Sequence, residues 1–238
     1  VFDRLLDAFG RQGWWPTTPP GEIRPRYYPQ EESRRLEETE QWEIMVGAML
    51  TQNTAWRNVE SALAGLWKNG LMELHAMVCT PLDRLASAVR PSGYFNQKAL
   101  RLQNMATYIE NQHDGRVAVF LRGPPGKLRT ELLALQGVGP ETADSILLYA
   151  AQVPCFVIDA YTRRILGRLG LVDATVEYEA LRAELESELP AEHGLYNESH
   201  ALLVKLATTS CKATPDCQSC CLKENCCYFG TEYVGEAG

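Results

Sequence analysis

The chain has no long apolar run and no leader of the charged, apolar and small-residue type at its start. It is therefore expected to be a soluble cytoplasmic protein with no membrane partner. Runs of strictly alternating polarity are missing too, as are internal repeats and low-complexity tracts, which argues against sandwich, barrel and solenoid architectures. Histidine is scarce: His75, His113, His193 and His200 are the only four, and no two stand at metal-ligand spacing, so none is expected to serve in catalysis. Positive charge is also short, with 23 Lys and Arg against 30 Asp and Glu and a net charge of −7. That balance excludes a protein that coats nucleic acid through bulk charge. It leaves open a local basic groove, because binding follows the field where the phosphates lie.

What is present is an ordinary globular composition, 45% hydrophobic over 238 residues, enough for one large or two modest domains. Apolar residues recur at helical spacing over 1–9, 31–50, 55–67, 71–79, 81–89, 96–112, 127–135, 141–151, 160–169, 176–189 and 194–209. The fold class is therefore all-α. Gly and Pro breakers fall at 17–25, 123–126 and 170–174. The stretch TTPPGEIRPRYYPQEESRR, within 17–40, reads as a Pro-rich, charged surface insertion.

Eight cysteines are present, six of them after residue 210. Cys211, Cys217, Cys220 and Cys226 stand as C-x5-C-x2-C-x5-C, close enough for four thiolates to converge without long loop closure. Zinc and a [4Fe-4S] cluster both accept four such ligands. Cys221 and Cys227 sit directly beside two of them. Cys227 is thus an alternative fourth ligand, with spacing favouring Cys226. In a reducing compartment such a cluster means metal and not disulfides. Cys79 and Cys155 lie in apolar surroundings and read as small core residues.

The most specific segment is LLALQGVGPETADSIL, 132–147, followed twelve residues later by Asp159. Leu132 and Leu135 end one helix, Gly137, Val138 and Gly139 form a tight turn, and Thr142, Ala143, Ile146 and Leu147 open the next helix. Two glycines around one apolar residue permit a sharp turn and a close backbone approach to an anion such as a DNA phosphate. Basic residues, among them Arg101, Arg129, Arg163, Arg164 and Arg168, surround this region, while acids gather over 31–43 and 177–188. Most of those bases are solvated faces, with a phosphate role expected for a minority. Asp159 is suited to cap the helix that follows it.

These residues, with MVGAMLTQNTAW (45–56), SGYFNQKA (92–99) and the cysteine run, resemble the helix-hairpin-helix DNA glycosylase superfamily typified by endonuclease III. The resemblance covers nearly the whole chain. It implies two helical domains: 31–152 carrying the hairpin, and 1–30 with 153–238 carrying the cysteine loop. It also implies a [4Fe-4S] cluster on Cys211, Cys217, Cys220 and Cys226, although the family's usual first gap is one residue longer. The partner implied is double-stranded DNA with a damaged base flipped out, bound by a monomer whose abasic product passes to an AP endonuclease.

Asp159 is then the catalytic residue. Bifunctional members carry an imine-forming Lys after the hairpin. Here Glu141 occupies that position, and a carboxylate cannot form an imine, so AP-lyase activity is not expected. Adenine glycosylases of the superfamily carry a catalytic acid where this chain has Gly47. WWP followed by a helix ending in GAMLTQNT resembles specifically the 3-methyladenine DNA glycosylase III branch, whose characterised members lack the cysteine cluster. That implies a base pocket built from Trp14, Trp15, Pro16 and Trp42, and a cationic alkylated purine as substrate, held by stacking and cation–π attraction. Gln52 resembles the residue that fills the hole left by the flipped nucleotide, and Tyr94 the wedge beside it, with Phe95 able to exchange with Tyr94. With Gly137, Val138, Gly139 and Thr142 these form the expected DNA contacts. Asn53 and Asn96 read equally as helix caps, and Lys205 as a snorkelling surface lysine in preference to a pocket or interdomain one. The alternatives are an endonuclease III-like activity on oxidised pyrimidines or mismatched bases, and a non-catalytic protein that binds lesions or abasic sites.

Overall fold

The structure, a computed structural model, describes residues 1–31 and 34–233. The described residues are helical, with one isolated antiparallel bridge, Thr17 to Arg26, and no strand. Among the described residues no helix is long and apolar enough to cross a membrane. The chain divides into two compact units: Trp15–Tyr28 with Ser33–Val153, and Val1–Trp14 with Pro29–Glu32 and Pro154–Gly238. The expected boundary put 15–28 with the N-terminal helix, whereas these residues group with the hairpin.

Helix α1 (Phe2–Phe9) belongs to the smaller unit, so the series in the larger one begins at α2 (Glu38–Leu50). Every residue of α2 from Trp42 to Leu50 is buried, which makes it the central helix and erases the polar face a surface helix would show. Around it run α3 (Trp56–Lys68), α4 (Leu74–Cys79), α5 (Leu82–Ala88), α6 (Phe95–His113), α7 (Val117–Leu121), α8 (Pro125–Ala134) and α9 (Pro140–Ser145). The last continues as a π-helical turn, Ile146–Ala150, packed on α2. Helix α7 was not legible: its VAVFL run is only five residues, held by burial of Val117, Phe120 and Leu121.

Helix α2 begins seven residues later than the periodicity over 31–50 predicts; Glu32 and Ser33 lie outside the described residues. A capping box between Glu37 and Glu40 decides the start. The segment expected as a surface insertion is partly docked. Thr17 and Thr18 are buried, Thr17 Oγ1 donates to Glu40 Oε1 (2.7 Å), and Thr18 donates through N (3.1 Å) and Oγ1 (2.7 Å) to the buried carboxylate of Glu43. Trp67 Nε1 adds a third bond to Glu43 at 3.2 Å. Burial pushes the Glu43 carboxyl up, and the Thr18 and Trp67 donors only partly offset it.

The smaller unit is built on α12 (His193–Thr209), which packs on α1 and on α10 (Ala160–Leu169), with α11 (Tyr178–Glu188) between α10 and α12 in the chain.

In the larger unit a buried lysine ties two corners together. Lys98, on α6, donates to Leu50 O at the end of α2 (2.8 Å) and to Ser92 O (2.7 Å) while only 2% exposed. Burial, with Arg101 adding repulsion, pulls its ammonium from 10.5 down to about 8. Lys98→Met leaves both carbonyls unpaired, and an unfolding free energy lower by about 2 kcal/mol is expected at pH 7. Between pH 8 and 10.5 the unfolded chain holds the proton that the folded one has released. Wild-type stability relative to the variant should therefore rise across that window and lose the increment as pH falls through 8. Urea melts of both proteins at pH 7 and pH 10 measure the gap; equal gaps would contradict the burial assigned to Lys98.

Candidate DNA-binding and catalytic site

The hairpin turn lies between α8 and α9. Gly137 takes φ +82°, and a Cβ there would run into the Arg101 guanidinium, so only glycine fits. Gly139 differs: its backbone is ordinary extended chain (φ −94°, ψ 177°), and a Cβ on it would meet nothing. Of the two glycines only Gly137 is required by the fold, and the space beside Gly139 is open. Val138 is buried, so the turn can offer only its backbone there.

Gln52 holds this turn from the corner after α2. Its Nε2 donates to Gly137 O (2.9 Å) and Thr142 Oγ1 (3.0 Å), and its Oε1 accepts from Arg101 Nη1 (2.8 Å). The structure thus brings Gln52, Gly137 and Thr142 together, with both polar atoms of Gln52 and the Thr142 hydroxyl engaged inside the protein. Arg129, expected among the surface bases, makes a two-bond fork to the fully buried Asp144 (2.6 and 3.1 Å), joining α8 to α9.

Of the non-glycine residues with left-handed backbone in this unit, Asn53 (φ 53°) and Tyr94 (φ 45°) lie next to these corners, and Asp114 and Gln152 lie elsewhere. Such conformations cost about 1–3 kcal/mol each in non-glycine residues and persist where surrounding structure imposes them. Tyr94 caps α6 and is 69% exposed, the most exposed large ring among the described residues, while Phe95 is half-buried under the Arg90 guanidinium (5.8 Å). The projecting ring is Tyr94.

The aromatic residues of the larger unit separate. Trp15 is buried against α2, its ring 5.3 Å from Trp56 and 5.1 Å from Tyr149. A Cβ on Gly47 would lie 3.0 Å from its Cζ2. Trp42 leaves α2 five residues earlier, about 140° around the helix axis. It is 3% exposed, with its indole N–H on Met72 O (2.6 Å), and it borders a cavity shared with Trp67, Leu74 and Val117. Trp42 and Trp15 thus meet different faces of α2. Pro16 is buried, and Trp14, assigned to the other unit, is half-buried.

In the smaller unit Asp159 caps α10, with Oδ1 accepting from Thr162 N at 2.6 Å. Its Oδ2 lies 3.6 Å from His200 Nε2 on α12. Burial raises the carboxyl, but His200 and the Thr162 donors outweigh it, and the group sits below the usual aspartate range. His200, given no role by its sequence spacing, is 7% exposed. The available signal was a polar residue on the apolar face of NESHALLVKL.

The cysteine loop follows α12. Cys211, Cys217, Cys220 and Cys226 line one cavity with Arg168, Tyr228 and Phe229. Cys227 faces away, its Sγ against Gly170, and Cys221 lines a different surface recess with Arg4 and Asp7. Burial and the neighbouring Cys226 and Cys211 sulfurs push the Cys217 thiol up, as expected of closely set thiols. Among the described residues no three His, Cys, Asp or Glu side chains stand at coordination spacing. Helix α10 grips the loop: Arg164 donates to Cys211 O (3.1 and 2.9 Å), and Arg168 to Cys211 Sγ (3.4 Å), Lys212 O (2.6 Å) and Ala213 O (2.9 Å). These arginines hold the loop, and Arg163 holds Ala174 O (2.9 Å).

Comparison with known proteins supplies the family. The profile described as "HhH-GPD superfamily base excision DNA repair protein" matches residues 46–191. The chain belongs to the HhH-GPD superfamily. A candidate DNA repair glycosylase of Methanocaldococcus jannaschii is 37% identical over 95% of this chain and 94% of its own length. The crystal structure of Helicobacter pylori 3-methyladenine DNA glycosylase bound to 1,N6-ethenoadenine is 26% identical (TM-score 0.63), covering 86% of this chain and 91% of that one. A trapped endonuclease III–DNA covalent intermediate shares the fold, at TM-score 0.73 and 22% identity over 98% and 95% of the two chains. The protein is thus an all-α base-excision DNA glycosylase of the HhH-GPD superfamily, similar to endonuclease III and to the 3-methyladenine glycosylase III branch.

The two glycines should respond differently. Gly137→Ala forces a positive φ on a residue with a Cβ and displaces Arg101, so a loss of about 2 kcal/mol, or about 5 °C in Tm, is expected. Gly139→Ala should melt like wild type, because a Cβ there meets nothing within the protein, but bind duplex DNA about tenfold more weakly. Calorimetry and fluorescence anisotropy separate the two effects. Equal melting points for both variants would refute the assignment.

Proposed function

We propose that this glycosylase is monofunctional and hydrolyses the N-glycosidic bond of alkylated purines such as 3-methyladenine in duplex DNA. The observation that carries the substrate class is the indole of Trp15 lying against Gly47. The superfamily's adenine glycosylases have a proton-donating acid at that position, and here Trp15 fills the space such a side chain would need. Without that acid a neutral purine is a poor leaving group. An alkylated purine already carries the charge that drives departure, and an electron-rich indole face suits it. Trp15 and Pro16, with Trp14, are assigned to the pocket, while Trp42 is left as a packing residue. The 26% identity to the Helicobacter enzyme supports the same class.

Asp159 carries the chemistry. As the glycosidic bond lengthens, positive charge develops on the sugar, and a carboxylate held ionised stabilises it and orients the attacking water. Glu141, exposed on the first turn of α9, replaces the lysine that bifunctional members use, so no imine forms and the abasic strand is left whole for a separate AP endonuclease. Tyr94 is assigned the wedge, and Gly137, Val138 and Gly139 the phosphate contact. Gln52 braces the turn together with Thr142, and would enter the DNA only by leaving those bonds. The four thiols facing one cavity fit a [4Fe-4S] cluster held by Cys211, Cys217, Cys220 and Cys226, whose part is to order the loop that α10 grips. The protein is taken to act as a monomer.

Incubation with methylated DNA, followed by chromatography of released bases and nicking assays before and after alkali, tests this reading. Release of 3-methyladenine with nicking only after alkali is expected. Release of oxidised pyrimidines with spontaneous nicking would overturn it in favour of endonuclease III chemistry. Asp159→Asn should retain DNA affinity and lose about a thousandfold in single-turnover base release. No release by wild type on any damaged duplex would leave a lesion-binding protein instead. Iron analysis tests the cluster: Cys226→Ser should lose iron and its visible absorbance, and Cys227→Ser should keep both.

A further inference from the structure

The pairing of Asp159 with His200 is not needed for either helix to form. Helix α10 already has its N-cap through Oδ1, and α12 is held by the apolar residues Ala201, Leu202, Leu203 and Leu206. An imidazole facing the one remaining carboxylate oxygen inside a largely buried pair is a costly placement if it serves only packing. We propose that His200 is a positioning residue for the reaction, turning Asp159 Oδ2 toward the imidazole and supplying the polar partner that keeps the buried carboxylate anionic. The proposal rests on the reading of Asp159 as the catalytic carboxylate.

Other charged groups on α10 and α12 are turned elsewhere. On α10, Arg163 bonds to Ala174 O and Val176 O, and Arg164 to Cys211 O. On α12, Glu198 accepts from Gln12 N at 2.7 Å, and Lys205 is exposed. Among the described residues, His200 is therefore the one cationic or N–H-bearing side chain seen to reach Asp159, joined there by the Thr162 backbone N–H. The 3.6 Å separation is longer than a closed hydrogen bond, a spacing common in catalytic pairs before substrate is bound. The direction of the Asp159 shift agrees, because burial alone would raise the carboxyl and His200 is the leading opposing influence.

Removing His200 leaves burial dominant. The Asp159 carboxyl should then titrate at least about one pH unit higher, the usual effect of losing a partner at this range. The acid limb of base release should move up by the same amount, with little change in DNA affinity. Two measurements on the cluster-loaded, full-length protein test this. The first follows 13C-labelled aspartate carboxyls by NMR across pH in wild type, His200→Ala and His200→Gln, with Asp159→Asn assigning the resonance. A raised titration in His200→Ala, with partial return in His200→Gln, which keeps an N–H donor, is expected. An Asp159 titration unchanged in both variants overturns the proposal, whether or not any base is released. The second is single-turnover base release against pH on a duplex that wild type cleaves. An upward shift of the acid limb at constant Kd supports the proposal, and a uniform loss at every pH with no shift reduces His200 to packing. Visible absorbance of the cluster and far-UV circular dichroism verify that the variants fold, and if His200→Ala does not, the His200→Gln titration against wild type decides. If wild type releases no base from any duplex, the reading of Asp159 fails, while the NMR result still judges the pair.

Discussion

One carboxylate carries two obligations, and the smaller unit is arranged around meeting both. Asp159 must cap α10, which fixes Oδ1 on the Thr162 N–H, and it must stay ionised while largely buried, which needs a polar partner for Oδ2. A buried carboxylate without partners neutralises by taking up a proton. The position of α10 relative to α12 is thus a chemical matter as much as a packing one, since α12 brings His200 to the second oxygen.

The far end of α10 is held with equal care. Arg164 and Arg168 donate to the carbonyls and a sulfur of the Cys211–Ala213 turn, and Cys226 Sγ returns a bond to Arg168 O at 3.3 Å. The helix that begins at Asp159 therefore ends in the cysteine loop. Guanidinium groups that composition offers as DNA ligands, Arg164 and Arg168, are spent on this attachment in a protein whose net charge is −7.

In the larger unit the same economy recurs at Gln52. A single amide spans from the end of α2 to the hairpin carbonyl of Gly137 and the hydroxyl of Thr142, with Arg101 on its oxygen. Lys98, on the same helix as Arg101, closes the neighbouring corner through Leu50 O and Ser92 O. The loops that carry Asn53, Tyr94 and Gly139 are unlike in sequence but share these braces, so strained backbone at Asn53 and Tyr94 is tolerated by rigid surroundings.

Local sequence was sufficient for what depends on local chemistry. Helical spacing located most helices to within a few residues, GVG marked the hairpin, the C-x5-C-x2-C-x5-C run marked the cysteine loop, and Glu141 announced the missing lysine. Three things were not local. The insertion over 17–40 is docked at Thr17 and Thr18 because Glu40 and Glu43, more than twenty residues on, receive their hydroxyls. Trp42 and Trp15 look alike as aromatic pocket candidates, yet five residues of helix turn Trp42 onto Met72 O while Trp15 covers Gly47. His200 had no spacing to recommend it, because its partner lies 41 residues earlier and only the packing of α12 on α10 joins them. Periodicity and turn chemistry are set by neighbours along the chain; which faces meet, and hence which polar groups find a charge, is settled only when the helices pack.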